Sequence, residues 1–113
     1  MVARPGWPDV EALLKRLAES GESFTTTSSK SNRISRYEAG RRVRLETDTG
    51  ESWVEVENIQ GCWETLERLG RIKRTDVLDP GRCSTFMMAL FRQVDGVCQE
   101  DRDELYLTLP GRR

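Results

Sequence analysis

The segment from Gly70 to Phe91, GRIKRTDVLDPGRCSTFMMALF, constrains the fold more than any other part of the chain. Its first glycine ends a predicted helix over Ile59–Leu69, and a basic linker that includes Arg71–Lys73 separates this helix from a short helical piece over Thr75–Leu78. Asp79-Pro80-Gly81 is a turn that stops the helical piece. A strongly apolar helix is predicted over Arg82–Gln93. Three short helices around one small core are typical of a helix-turn-helix unit, which we therefore expect here.

Length and hydropathy predict a single domain, 1–113, with one core. The chain has 113 residues and a formal net charge of −1, so it lacks the strong basic field of many DNA-binding domains. Its apolar runs are too short to span a membrane, and the N-terminal MVARPGWPD lacks the apolar core of a signal peptide. We expect a cytoplasmic protein with no membrane partner.

The residue types argue against catalysis. The chain contains no histidine, and its three cysteines form no CxxC pair, so nucleophile–histidine pairs are excluded and a structural zinc site is improbable. The pairs Glu55/Glu57 and Asp101/Asp103 are better explained as solvated carboxylates than as metal ligands, because no base or nucleophile accompanies them. We predict no catalytic residues, no metal and no cofactor.

The N-terminal half predicts a helix followed by an antiparallel sheet. Apolar residues at helical spacing predict an amphipathic helix over residues 9–20, with Pro8 in its first turn. Residues 23–56 then alternate with period two in three or four strands joined by short turns. The side chains predicted to face the core of this sheet are Ile34, Val43, Leu45, Val54 and Val56.

The complete prediction is an α+β fold. An N-terminal helix and an antiparallel meander of three to four strands precede a three-helix, helix-turn-helix-like (winged-helix-like) unit over residues 58–109. A C-terminal strand or hairpin over Val97–Gln99 and Glu104–Leu109 would take the place of the wing. The predicted tip of that hairpin, Glu100–Asp103, is acidic and would be repelled by phosphate.

Charged residues occur in blocks along the chain. Residues 30–44 are rich in arginine, residues 45–67 carry a long series of acids, and Arg68, Arg71, Lys73 and Arg74 form a second basic cluster. For Arg42 and Arg44 we favour cross-strand pairing with Glu51 or Glu55, an ordinary arrangement on a solvated sheet face. For the second basic cluster, the sequence leaves both ion pairing with nearby acids and a role in a binding surface open.

Short motifs spread from Phe24 to Val97 carry a resemblance to a known kind of domain. They are FTTT (24–27), NRI (32–34), RVRLET (42–47), VEVE (54–57), WETL (63–66), GRI (70–72), RCSTFMMALF (82–91) and VDGV (94–97). With these motifs the segment resembles a small accessory domain found alongside HNH and modification-dependent restriction endonucleases in bacterial defence proteins. The pattern departs at Val94-Asp95, where the relatives have Leu-Pro. The resemblance implies a non-catalytic module whose nuclease, if any, lies on another domain or chain.

The first functional hypothesis is a DNA-binding or DNA-sensing module. In a helix-turn-helix unit, Arg82–Gln93 would be the recognition helix and would turn Met88 toward solvent with its polar residues. The predicted contacts to double-stranded DNA are Lys73, Arg74, Arg82, Ser84, Thr85 and Arg92. Each has a structural alternative, because Ser84 and Thr85 also favour helix starts and arginines also pair with nearby acids.

The alternative hypothesis is a protein-interaction or dimerisation module without nucleic acid, with a nuclease, another protein or a second copy as partner. It rests on the nearly neutral net charge, the methionine-rich last helix and Trp53. Trp53 faces away from Val54 and Val56, so it is either covered by the N-terminal helix or available to a partner.

Overall fold

The computed structural model describes residues 5–26, 30–48, 50–73, 84–101 and 105–109. These residues form three helices and seven strands. The elements in chain order are α1 (Trp7–Ser20), β1 (Ser23–Thr25), β2 (Ser31–Glu38), β3 (Arg42–Thr47), β4 (Gly50–Glu55), α2 (Val56–Leu69), β5 (Arg71–Lys73), α3 (Ser84–Phe91), β6 (Cys98–Asp101) and β7 (Leu105–Thr108).

The first helix forms because its apolar residues share one face and its ends are well defined. The Gly6 N–H donates to the Asp9 carboxylate at 2.8 Å, and the Asp9 N–H donates to the Gly6 carbonyl at 3.0 Å. At the other end Gly21 has φ of 69°, a left-handed conformation that glycine adopts without strain. The buried side chains are Val10, Leu13, Leu14 and Leu17. They join the core shared with the sheet.

Four antiparallel strands follow in the order β1-β2-β3-β4. The strands alternate between a buried side and a solvent side, as the period of two predicts. The side chains predicted to face the core (Ile34, Val43, Leu45, Val54 and Val56) are all buried, so this prediction is confirmed. Val56 differs in one respect, because it is the first residue of α2 and not part of a strand.

A second sheet closes the C-terminal half. It has the order β5-β7-β6 with antiparallel pairing throughout. Strands β6 and β7 form a C-terminal hairpin, as the sequence predicts, but Glu100 and Asp101, predicted at its tip, are strand residues paired with Tyr106 and Leu105. Strand β5 adds a third strand through the Ile72 and Leu107 register pair. Ile72 and Leu107 are both completely buried, which fixes this sheet to the common core.

The helix α3 is surrounded by the core. All six residues from Phe86 to Phe91 are buried, including Met88 with 2% of its surface exposed. The Phe91 ring packs edge-on against the Trp63 ring of α2 with 5.3 Å between the ring centroids. The ring centroids of Phe86 and Phe24 are 6.2 Å apart. A helix that is apolar on every side is stable only when other elements cover it, which is the case here.

The predicted helix-turn-helix-like, winged-helix-like fold class is therefore wrong. The α+β composition, the N-terminal helix and the antiparallel sheet are present, but within the described residues only two helices follow the four-stranded sheet. Arg71–Lys73, predicted as a linker, is a strand, and the hairpin is part of a three-stranded sheet and not a separate wing. The expected recognition helix is a core helix. The predicted helix Thr75–Leu78 lies outside the described residues.

Candidate interaction surface

The side of the four-stranded sheet that faces away from the core carries nine charged or aromatic side chains. We call it the outer face and define it by Arg33, Arg36, Glu38, Arg42, Arg44, Glu46, Glu51, Trp53 and Glu55. Strand alternation and register place these residues together, on the side opposite Ile34, Val43, Leu45 and Val54. The two possibilities for Trp53 are thereby resolved: it is not covered by the N-terminal helix, and 41% of its surface is exposed.

Two arginines hold the Trp53 ring. The Arg42 guanidinium carbon lies 3.9 Å from the centre of the ring and that of Arg44 lies 5.9 Å from it. Both distances are within the range of a cation–π contact, and arginine prefers this stacked geometry. The β3–β4 register explains the arrangement, because Arg44 lies directly opposite Trp53 and Arg42 is two residues away on the same face. The exposed indole therefore has a defined position.

Glu38 is the centre of an ion-pair cluster at one end of the outer face. Its carboxylate lies 3.1 Å from Arg42, 3.1 Å from Arg36 and 3.6 Å from Arg41. The hydrogen bond from Arg42 is the main cause of a lowered pKa for Glu38, and the charges of Arg36 and Arg41 lower this pKa further. One acid thus neutralises part of the charge of three arginines.

Two further pairs cross the sheet. Arg33 donates to Glu46, directly opposite on β3, and this hydrogen bond is the main cause of the lowered pKa of Glu46. Arg44 donates to Glu51 on β4. The prediction of cross-strand pairing is confirmed for Arg44. Arg42 pairs with Glu38 and not with the acids of β4.

Glu55 is the exception among the acids of the outer face. It lies opposite Arg42 in the β3–β4 register and is exposed, yet the described part of the chain offers its carboxylate no hydrogen-bond or ion-pair partner. Glu57, in the first turn of α2, is also exposed. The β4 side of the outer face therefore has uncompensated negative charge beside an exposed tryptophan.

Four of the six residues predicted to contact DNA lie within the described structure, on β5 and on or just after α3. Lys73 is on β5, Ser84 is the first residue of α3, and Thr85 is partly buried. Arg92 follows α3, and its guanidinium donates to the Thr25 carbonyl of β1. Arg74 and Arg82 lie outside the described residues, and Met88 is buried instead of facing solvent.

Sequence reasoning identified Trp53 but missed the acids beside it as a group. Glu51, Trp53 and Glu55 alternate along β4, a pattern visible in GESWVEV. In the described residues no set of three or more potential metal-ligating side chains lies close together, and no helix there is long and apolar enough to cross a membrane. No family model, no curated protein and no solved structure matches this chain.

Proposed function

We propose that this chain is a protein-interaction module that binds its partner on the β4 side of the outer face. The observation that carries the proposal is Trp53, an exposed tryptophan fixed against Arg42 and Arg44 beside the edge of the sheet. Tryptophan and arginine are enriched among the residues that dominate protein–protein binding energy. Their fixed positions reduce the entropy lost when a partner binds.

The electrostatics favour a protein over nucleic acid on this surface. A phosphate backbone is bound by cations that are available to it. On the outer face the sheet arginines already contact glutamates, and the edge beside Trp53 carries acids. Binding to DNA through the residues predicted from the sequence stays a prediction, as does the expected link to a bacterial restriction system.

Cross-linking with matched variants tests the proposal. Trp53→Ala is compared with Leu69→Ala, since Leu69 is the other large apolar side chain exposed in the described chain, at 49%. Proteins cross-linked to the wild-type chain are identified by mass spectrometry, and each is then measured in purified form. We expect Trp53→Ala to weaken binding by about thirtyfold, the effect of a tryptophan worth about 2 kcal/mol. Leu69→Ala should bind normally.

The opposite results are equally specific. Partners that bind Trp53→Ala as well as they bind the wild-type chain would exclude this surface. Binding of labelled duplex that weakens steeply with salt, without any protein partner, would favour the nucleic-acid hypothesis. Circular dichroism should show that both variants keep the fold, because each change is at an exposed side chain.

A further inference from the structure

The two edges of the four-stranded sheet differ in how far their backbone groups are protected from pairing with another strand. At one edge, β1 has only three residues, and the carbonyl of Thr25 accepts a hydrogen bond from the Arg92 guanidinium. The Thr26 N–H donates to the Lys30 carbonyl at 2.8 Å, so residue 26 faces β2 and the neighbouring residue 25 faces outward. The Arg92 side chain therefore satisfies an outward-facing carbonyl of this edge with a hydrogen bond.

At the other edge, β4 has six residues and is exposed at most of them. The Val56 N–H donates to the Arg41 carbonyl of the preceding turn at 2.8 Å. This hydrogen bond shows which residues of β4 point their backbone N–H and C=O groups toward β3 and which point them away. The backbone groups of residues 50, 52 and 54 accordingly face β3, whereas those of Glu51, Trp53 and Glu55 face away from the sheet. The same three residues present their side chains on the outer face.

Pairing with a second copy is opposed by charge. In the antiparallel two-fold register centred on Trp53, Glu51 of one copy lies directly opposite Glu55 of the other, twice in the dimer. Like charges directly opposite each other on neighbouring strands are destabilising. Charged residues at a sheet edge are a known means of preventing such pairing.

We propose that β4 binds an extended basic peptide segment as an additional strand. The segment would place Lys or Arg opposite Glu51 and Glu55 and an apolar side chain opposite Trp53, giving the pattern basic-x-apolar-x-basic. Main-chain hydrogen bonds to Glu51, Trp53 and Glu55 supply part of the affinity, and the alternate side chains supply the specificity. Glu55 is the principal anchor, because its carboxylate has no partner within the described residues. This inference rests on the proposed function and names its partner class.

A short synthetic peptide tests the proposal with the full chain. The probe is TRTVTRT, which is symmetric and so presents the same pattern in parallel and antiparallel orientation. Binding is measured by titration with ¹⁵N-labelled protein, and we expect the largest shifts at the amides of Glu51, Trp53 and Glu55. A second peptide has the same sequence but carries N-methyl groups on its five central backbone nitrogens, which include those that face β4 in either orientation. We expect it to bind at least about fivefold more weakly, because it cannot donate to the strand.

Charge reversal supplies the matched controls. Glu55→Lys should weaken the basic peptide by about fivefold or more and should bind the acidic peptide TETVTET better than the wild-type chain does. Glu64→Lys makes the same change of charge at an exposed acid on α2. It should leave the affinities for the basic and the acidic peptide unchanged.

Several results would overturn the proposal. These are equal binding of the N-methylated peptide, unchanged binding by Glu55→Lys, shifts centred on β1, or a Trp53-dependent dimer in light scattering. If the basic peptide fails while cross-linked partners still depend on Trp53, the strand-addition inference fails and the proposed function stands. If neither the binding of the basic peptide nor that of the cross-linked partners depends on Trp53, the strand-addition inference and the proposed function both fail.

Discussion

Replacing Met88 with alanine distinguishes a core helix from a recognition helix. Met88 is 2% exposed in α3, so the change removes Cγ, Sδ and Cε from a packed interior. Loss of the transfer free energy of these atoms costs about 2 kcal/mol, and the cavity left behind adds to it. We expect Met88→Ala to lower the free energy of unfolding by about 2–5 kcal/mol. At about 4 °C per kcal/mol for a chain of this size, Tm should fall by roughly 8–20 °C.

Urea unfolding followed by tryptophan fluorescence measures the change in stability, with circular dichroism as a second probe. Met88→Leu nearly conserves volume and should cost less than about 1.5 kcal/mol. Glu64→Ala, at an exposed position of α2, should stay within about 0.5 kcal/mol of wild type. If Met88→Ala also stays within about 0.5 kcal/mol, the side chain is not packed and the core position of α3 is refuted.

Three further predictions follow from the backbone and the ion pairs. Gly96→Ala should lower the free energy of unfolding by roughly 1–3 kcal/mol in urea titrations, because φ is 98° and a Cβ would lie 3.0 Å from Pro5 Cδ; an unchanged midpoint would contradict this. Gly61→Ala should raise this free energy by about 0.5–1 kcal/mol, since Gly61 is inside α2 with open space around it, and a loss of stability would refute the assignment. Arg33 lowers the pKa of Glu46 below its ordinary 4.5, so this pair stabilises the fold above pH 4.5 and its contribution disappears as pH falls through the lower folded-state pKa. The urea midpoint of Glu46→Gln should therefore depend less on pH below 4.5 than that of wild type, and parallel curves would exclude the linkage.

The first helix and the four-stranded sheet could be predicted because local periodicity defines them. In α1 the apolar residues recur on one side only, so the pattern gives both the helix and its buried face. In β3, Val43 and Leu45 alternate with arginines, which gives the strand and its orientation. In both cases the polar residues contain as much information as the apolar ones.

The second half could not be predicted in this way, for two physical reasons. The run Phe86–Phe91 has no polar side, so its sequence pattern does not indicate which side of the helix faces solvent. The prediction that Met88 faces solvent therefore had no basis in the pattern, and Met88 is buried. Strand β5 has three residues, and its partner Leu105–Thr108 lies more than thirty positions further along the chain. Pairing at such a separation leaves no local signal, so a linker between helices was the wrong interpretation of Arg71–Lys73.

The candidate site was predictable only in part. The alternation around Trp53 indicates which face of the sheet it occupies, but not whether another layer covers that face. This depends on where the N-terminal helix packs, and its apolar residues join the core with Ile34 on the opposite side. The Arg42–Glu38 pair was missed for a related reason. The sequence suggested partners on β4, whereas Glu38 lies directly opposite Arg42 on β2, the neighbouring strand on the other side of β3.

The acids of β4 admit a purely structural explanation, namely that they keep an exposed edge from aggregating. Trp53 weakens that explanation. A sheet edge protected only for solubility gains nothing from a large aromatic ring between its charges, because an exposed tryptophan promotes the contacts that the charges prevent. Two arginines also hold the ring in one position, although each is already engaged with a glutamate. An edge that excludes its own copy by charge and retains an ordered aromatic side chain has the properties required to select a different, basic strand.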